Sequence, residues 1–487
     1  MANQKSLLDT MVQELSDRTN DEKEAKSLVK NIVDEVIGGR VHWKKNVAQT
    51  VEKAIEELDV LVSAQLAKVM HHPEFQQLEG SWRGLNMLIR RSDLGTHTNM
   101  FVEVLDISKE ELHEDLTASD SLNQSEMYKK VYYQQYDMGG GKPYGVMIGD
   151  YAFANSADDL ETLDLMGKIG ERAFCPFISS AAPDLLGLKK YSELPNPDDL
   201  GAKFEAATHA QWRSLRGKPH ARYIGLTLPR VVSRLPYGPS TKKVKEFNFK
   251  EVPTNGDHTE VVSDDQYCWS NAAYSYGTLL TNAFAETGWY SRIRGQEGGG
   301  KVEDLHVHTV RTNSGDIVQN CPTEINIWYE RDKELSDAGF LPLHHFKGSD
   351  YAVFDSGQSI QKPVAYDDPA ASSSAQLSAR MPYVLVTSRI AHYLKVLAHR
   401  WVGTYKEGPD LQEQLQRWIM QYVSADENPS EEVKALKPLK EARVEITPDP
   451  DNPGSYQMQA FLRPWYQFEE LQSSLQLVSR IPKSGKG

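Results

Sequence analysis

The sequence predicts a mixed α/β (α+β) fold spread over about three domains. Three observations predict it. Residues 1–72 carry apolar stripes at helical spacing. The middle of the chain alternates short strand-like apolar runs with helical patterns. Near the C-terminus two alternating segments flank a turn-rich stretch. At 487 residues the chain is long enough to bury a sizeable core. The expected division is 1–72, a helical arm; 73–345, a mixed middle region; and 346–487, a last region holding a β-hairpin.

Charge and composition narrow the function. Lys and Arg number 54 against 68 Asp and Glu, a net charge of −14, which argues against a general nucleic-acid binder. Charged residues at 25% and hydrophobic residues at 39% are those of an ordinary folded soluble protein. No run approaches the ~20 apolar residues that span a bilayer, so no membrane insertion is expected. The N-terminal MANQKSLLDTMVQEL lacks the basic-then-apolar order of a secretory signal. Cys175, Cys268 and Cys321 lie far apart and read as reduced thiols. Together these features predict a cytoplasmic protein.

In the arm, Leu7, Leu8, Met11, Val12 and Leu15 fall on one helical stripe, followed by a polar linker from Ser16 to Asp21. A second stripe runs from Ala25 to Val36 and stops at Gly38-Gly39. A third helix is expected from Asn46 to Met70, with Val47, Val51, Ala54, Leu58 and Leu61 on its seam and His71-His72-Pro73 ending it. These helices have more apolar surface than they can cover among themselves. They pack on the rest of the chain or await partner helices. The first, terminal and tethered, is the better docking candidate.

In the middle region, Met100–Ile107 (MFVEVLDI) alternates like a strand, and Gly145–Ile148 and Tyr223–Leu228 read as strands, the last closed by Pro229. Asp159–Ala173 and Trp269–Phe284 have helical patterns, and Asp367–Ala375 (DDPAASSSA) reads as a loop. In the last region, Ile390, Leu394, Leu397 and Trp401 share one face of a helix. His392, Lys395 and His399 lie opposite, with Arg389 on the flank. No Asp or Glu occurs between Asp368 and Glu407. That basic face is either solvated surface or a grip on an acidic partner. Further on, Ala442, Val444 and Ile446, then Tyr456, Met458, Ala460 and Leu462, alternate about the turn Pro448–Gly454. They form a hairpin closed within one chain or a sheet edge open to a neighbour's strand. A third strand is expected over Ser474–Ile481.

Signs of chemistry are weak. Gly295–Lys301 (GQEGGGK) satisfies G-x-x-x-x-G-K, but Val302 stands where a phosphate loop needs Ser or Thr, and the segment leaves a helix to enter an expected strand, Val302–Val310. His306 and His308 would share a strand face as two metal ligands do, yet no third ligand stands at a characteristic spacing; Cys321, His344 and His345 are the candidates to complete a set. No G-x-S-x-G elbow is present. No catalytic residue, metal or cofactor is expected. An enzyme that binds a nucleotide at Gly295–Lys301 is the weaker alternative.

Several long segments in order carry a resemblance. They are LEGSWRGLNMLI (Leu78–Ile89), YGVMIGDY (Tyr144–Tyr151), FISSAAPDLLGL (Phe177–Leu188), LTLPRVVSRLPYG (Leu226–Gly238), IRGQEGGGKVEDLHVHT (Ile293–Thr309), GFLPLHHFKGSDYAVFDSGQSIQKPVAYDD (Gly339–Asp368) and RIAHYLKVLAHRW (Arg389–Trp401). In these the chain resembles the large subunit of the bacterial type VI contractile sheath, the TssC/VipB family. The resemblance implies a non-enzymatic contractile-sheath subunit. Its partners would be a small sheath subunit of the TssB/VipA type, further copies of itself in a helical polymer, an Hcp-type inner-tube hexamer, a baseplate, and a ClpV-type AAA+ ATPase of the Clp class that recycles the contracted sheath. It places the ATPase-binding helix near the N-terminus, for which Leu7, Leu8, Met11, Val12 and Leu15 form the expected docking face. In that setting Arg389, His392, Lys395 and His399 are the expected tube-facing cations, and Val444, Ile446, Tyr456, Met458 and Ala460 the expected strand-exchange residues. The sheath of a related phage-tail-like particle is the remaining alternative.

Overall fold

The computed structural model describes residues 47–92, 100–195, 199–252, 263–311, 317–401, 408–448 and 456–465, with single positions between 23 and 31. The expected first helix, with Leu7, Leu8, Met11, Val12 and Leu15, and the expected strand Ser474–Ile481 lie outside the described residues. The chain divides into two compact units. One comprises 1–79, 234–268 and 309–319; the other comprises 80–233, 269–308 and 320–487.

The smaller unit is built on helix α1 (Val47–Met70) and the start of α2 (Pro73–Arg91). Pro73 opens α2, where its missing N–H costs nothing. α1 is fixed from one side: Asp59 accepts from the Asn248 amide and Ser63 Oγ from the Lys250 amide, both at 3.3 Å. A buried charge cluster locks the unit. The Arg234 guanidinium forks onto Glu79 (2.6 and 3.0 Å) and Glu251 (2.7 and 3.0 Å). Glu251 also accepts from the Tyr237 amide and meets His71 Nε2 at 3.1 Å. Burial opposes charge on Glu251, but the hydrogen bonds from His71 and Arg234 win and hold its pKa below the usual range.

The larger unit centres on a parallel sheet of four strands in the order β1-β2-β3-β5: β1 (Met147–Phe153), β2 (Phe177–Ala181), β3 (Ile224–Leu228) and β5 (Leu341–Pro342). Helices cover both faces, as a buried parallel sheet requires. In β2, Phe177 joins the cluster with Leu163, Met166 and Ile169 of α4 (Ala157–Ala173). The next residue, Ile178, joins the cluster with Tyr276, Leu279 and Leu280 of α5 (Ala272–Thr287). That is the period of two expressed as packing. The expected strands at 145–148 and 223–228 and helices at 159–173 and 269–284 correspond to β1, β3, α4 and α5. β2 carries no alternation and was not expected from pattern. A second sheet, β6-β7-β4, joins His344–His345 (β6), Ala352–Val353 (β7) and Lys301–Val302 (β4).

Two glycines one turn apart seat α2 in this unit. A Cβ at Gly80 would overlap the Trp269 carbonyl oxygen, and one at Gly84 the Tyr274 ring. Leu88, a further turn along, is buried beside Gly277.

The last third holds α6 (Tyr329–Asp337), α7 (Pro369–Ser378), α8 (Met381–Trp401), α9 (Gly408–Ile419) and the antiparallel pair β8 (Leu439–Pro448) and β9 (Tyr456–Pro464). The expected loop Asp367–Ala375 is corrected: Pro369 starts a helix there, its fixed φ suited to the first turn, and the alanines and serines continue it. The expected strand Val302–Val310 is also corrected, since strand geometry is limited to Lys301–Val302 and Thr309–Arg311.

Candidate assembly surfaces

The first candidate surface is the basic side of α8. Ile390 and Leu394 point into a cluster with Leu415, Ile419, Leu439 and Val444, as the sequence predicts. The opposite side is partly covered: His392 is buried, and Arg389 and Lys395 are half-buried. A π-helix, Lys129–Asp137, brings Tyr132 and Tyr136 against it in a row begun by Tyr128: Tyr128 stacks on Tyr132 at 5.2 Å and Tyr132 meets Tyr136 tilted at 5.3 Å. Lys395 Nζ donates to the Tyr132 hydroxyl at 2.7 Å and lies 4.2 and 4.6 Å from the Tyr132 and Tyr136 ring centres. Burial, only partly offset by Asp137, lowers its pKa. His392 is 4% exposed and meets Tyr136 edge-on at 5.9 Å. Burial first, then the neighbouring Arg389 charge, push its pKa down to about 3, so it is neutral at ordinary pH. Arg389 donates to the Tyr393 hydroxyl at 2.7 Å and stacks over the rings of Tyr393 and Phe284.

In this structure His392 is buried and Arg389 and Lys395 are half-buried, so the three do not stand as an open face; the side chain of His399 lies outside the described residues. The absence of acids on this helix reflects aromatic partners, which take cations without carboxylates. The signal that could have found them is the run Tyr128, Tyr132, Tyr136 in KKVYYQQY.

The second surface is the hairpin. β8 and β9 pair with each other from Leu439↔Pro464 to Pro448↔Tyr456, so the two candidate strands close within one chain. Val444 is buried, Ile446 and Met458 are half-buried and Ala460 is exposed; Tyr456 has its backbone in the ladder, its side chain being outside the described residues. The two edges differ. Along β8, Gln416 accepts from the Val444 amide (2.8 Å) and donates to the Ala442 carbonyl (3.0 Å), while Gln412 accepts from the Ile446 amide (2.9 Å). Two side chains of α9 thus imitate a strand and seal that edge. The same bonds fix the other edge. Since Val444 and Ile446 turn their N–H groups away from β9, the residues opposite, Ala460 and Met458, turn theirs away from β8. On that side the Leu462 carbonyl takes the Tyr383 hydroxyl at 3.0 Å, and Ala460 and Met458 have no ladder partner among the described residues.

The third surface is α1. Ala54, Ser63 and Met70 face inward, whereas Ile55, Leu58, Leu61, Val62, Leu66 and Val69 are exposed. An apolar row this long in water marks an interaction face.

The sites of expected chemistry do not assemble. In the glycine segment Gly295 and Gly299 take positive φ, and the amides of Gly295 and Gly300 bond the carbonyls of Phe354 and Gly295, both at 2.9 Å. Lys301 pairs with Glu303 at 2.6 Å and covers the Tyr351 ring. The loop connects α5 to β4 and commits the Gly295 and Gly300 amides to carbonyls of the chain, the reverse of a phosphate cradle. His308 is buried while His306 is exposed. Among the described residues no three His, Cys, Asp or Glu side chains gather as metal ligands, and no helix is long and apolar enough to cross a membrane.

Known proteins supply the context. Residues 52–361 match the family model VipB, described as the EvpB/VC_A0108 tail sheath N-terminal domain, and residues 370–481 match VipB_2, its tail sheath gpW/gp25-like domain. The chain is 41% identical over 478 residues to a Pseudomonas aeruginosa protein named type VI secretion system sheath protein TssC1, covering 97% of this chain and 94% of that one. Among solved structures, the anti-feeding prophage baseplate aligns with 76% of this chain and 80% of its own at 8% identity, TM-score 0.38. The contracted helical sheath of the same particle aligns with 80% and 84% at 10% identity, TM-score 0.33. The two sheath domains follow one another along a single polypeptide, so the chain belongs to the VipB family of tail sheath proteins and is a structural sheath subunit of the type VI secretion kind.

Proposed function

We propose that this subunit pairs with a smaller sheath subunit, polymerises helically around an inner tube on a baseplate, and shortens to drive the tube outward, with no bond-making chemistry of its own. The observation that carries the reading is the 41% identity across 97% of the chain to a named sheath protein. Two features of the isolated chain support it. The exposed row on α1 suits helices of the small subunit: six apolar side chains, each contributing about 1.5–3 kcal/mol on burial before ordering costs, make a large interface. The hairpin suits strand exchange between neighbours, which holds subunits together by backbone bonds while other contacts rearrange. With β8 sealed by Gln412 and Gln416, the exchanged strand adds along β9 at Met458 and Ala460.

In this reading a ClpV-type ATPase takes the contracted polymer through Leu7, Leu8, Met11, Val12 and Leu15, many copies adding avidity. Because Arg389, His392 and Lys395 are held by aromatic rings, we assign the grip on an Hcp-type tube to other surfaces of the assembly. Co-expression with the protein encoded beside it, followed by negative-stain microscopy, tests the reading. Hollow cylinders are expected; a well-behaved complex that never forms them overturns it.

A further inference from the structure

The expected strand Met100–Ile107 is corrected: the segment carries the alternation of a strand but forms none and joins no sheet among the described residues. From Met100 to Ile107 the backbone forms no helix, turn or bend, and among the described residues no backbone N–H or C=O between Phe101 and Asp106 has a ladder partner. The segment is held at both ends: the Tyr151 hydroxyl donates to the Ile107 carbonyl at 2.9 Å, the Tyr144 hydroxyl donates to Glu103, and Lys142 lies 4.4 Å from the Phe101 ring centre. These contacts fix side chains and one terminal carbonyl and leave the backbone between them open among the described residues. Phe101 and Val104, each 67% exposed, and Leu105 stand in water beside it.

An unbent segment whose donors and acceptors have no described partner and whose apolar side chains stand in water is suited to complete a β-ladder. We infer that Phe101–Asp106 receives a strand from another polypeptide. Charge sets its chemistry. Glu103 and Asp106 lie on the segment itself, and the Tyr151 phenol is raised to about 12 by burial and by the carboxylates of Asp150, Asp106, Glu111 and Glu110. Lys142 is placed over the Phe101 ring and Lys109 is paired with Asp159 at 3.0 Å. The incoming strand therefore alternates apolar residues with Lys or Arg. A second copy of this same acidic segment is disfavoured by like charge.

This inference rests on the sheath reading and names one of its joints. Hydrogen exchange is followed on the full chain alone and on cylinders of the chain co-expressed with its encoded neighbour. The expected result is that amides of Phe101–Asp106 exchange about tenfold or more slowly in the cylinders. A photo-crosslinker at Val104 is expected to capture a segment that alternates apolar and basic residues. Asp106→Lys is expected to weaken complex formation about tenfold while the free chain keeps its unfolding midpoint, since Asp106 is exposed. Cylinders in which these amides exchange as fast as in the free chain, or a crosslink to a helix or to this segment in a second copy, overturn the strand while leaving the sheath reading intact. A wild-type complex that forms no cylinders overturns the sheath reading and this joint with it.

Discussion

Lys395 donates to the Tyr132 hydroxyl at 2.7 Å and sits over the same ring, so the cation that sequence pattern assigns to a partner is held by the chain's own aromatic shell. A cation–π contact of about 0.5–2 kcal/mol and a charge-assisted hydrogen bond of about 1.5–3 kcal/mol are at stake. Lys395→Met keeps the stem and loses both, and is expected to lower stability by about 1–3 kcal/mol in urea unfolding. Lys395→Glu places a carboxylate against ring faces and is expected to cost more. Equal stability of Lys395→Glu and wild type would show that the charge is free after all.

Asp332 on α6 is 4% exposed, accepts from Ser356 Oγ at 2.9 Å through one oxygen, and among the described residues has no partner on the other. Burial, with Asp355 adding like charge, raises its pKa to about 7 against the opposing pull of Ser356 and Arg294. The folded state thus binds this proton more tightly than the unfolded state, whose Asp titrates near pH 3.9. The sign follows: its contribution is fully present below about pH 4 and is lost as pH rises towards 7. Asp332→Asn is expected to match wild type at pH 4 and exceed it by about 2–4 kcal/mol at pH 8. Parallel pH–stability curves would contradict this.

Asp164 on α4 behaves oppositely. Lys218 (2.6 Å), Lys168 (2.7 Å) and His220 (2.8 Å) surround it. Burial works against its charge, but the hydrogen bonds from His220, Lys168 and Lys218 outweigh it and hold its pKa well below the carboxylate range. Stability from this depressed pKa is present above about pH 4 and is lost as pH falls. Asp164→Asn is expected to lose about 2 kcal/mol at pH 7 and to show a shallower decline between pH 4 and 2. Melting curves across that range check it.

The glycine pair of α2 gives a steric prediction. Gly80→Ala drives a Cβ into a main-chain carbonyl, that of Trp269, which cannot rotate away; Gly84→Ala meets the Tyr274 ring, which can. Overpacking of this kind costs about 1–3 kcal/mol. Gly80→Ala is expected at the upper end and Gly84→Ala at the lower, measured by denaturant midpoints. The reverse order would mean that the Trp269 main chain, not the ring, yields.

Much of this architecture was legible in advance because it repeats. α4, α5, α8, β3 and the hairpin announce themselves by period, and β1 in part. β2, Phe177–Ala181, does not, because a strand covered on both faces has no polar alternation. The partners of the basic side of α8 are hidden for a related reason. Pattern reports which residues share a face, but not that a distant π-helix supplies tyrosines to that face. The sealing of β8 by Gln412 and Gln416 was equally hidden, since glutamine on a helix reads as surface. Met100–Ile107 has the alternation of a strand but forms none, because no described segment supplies the other side of a ladder.

The two edges of the hairpin make the sheath reading sharply testable. Ala460 turns its N–H away from β8, so Ala460→Pro removes no bond of the hairpin itself, and proline is tolerated where a strand's N–H faces outward. The same change denies an added strand one of its bonds and places a ring in its path. Ala460→Pro is therefore expected to leave the unfolding midpoint within about 1 kcal/mol of wild type while abolishing cylinders under microscopy. Gln416→Ala is the counterpart. It leaves the Val444 amide and Ala442 carbonyl without their α9 partners and is expected to cost about 1–3 kcal/mol. By unsealing β8 it also creates a second edge, so that light scattering should report lateral aggregates in place of ordered polymer. Normal cylinders from Ala460→Pro would exclude β9 as the exchanging edge and move the joint between subunits elsewhere.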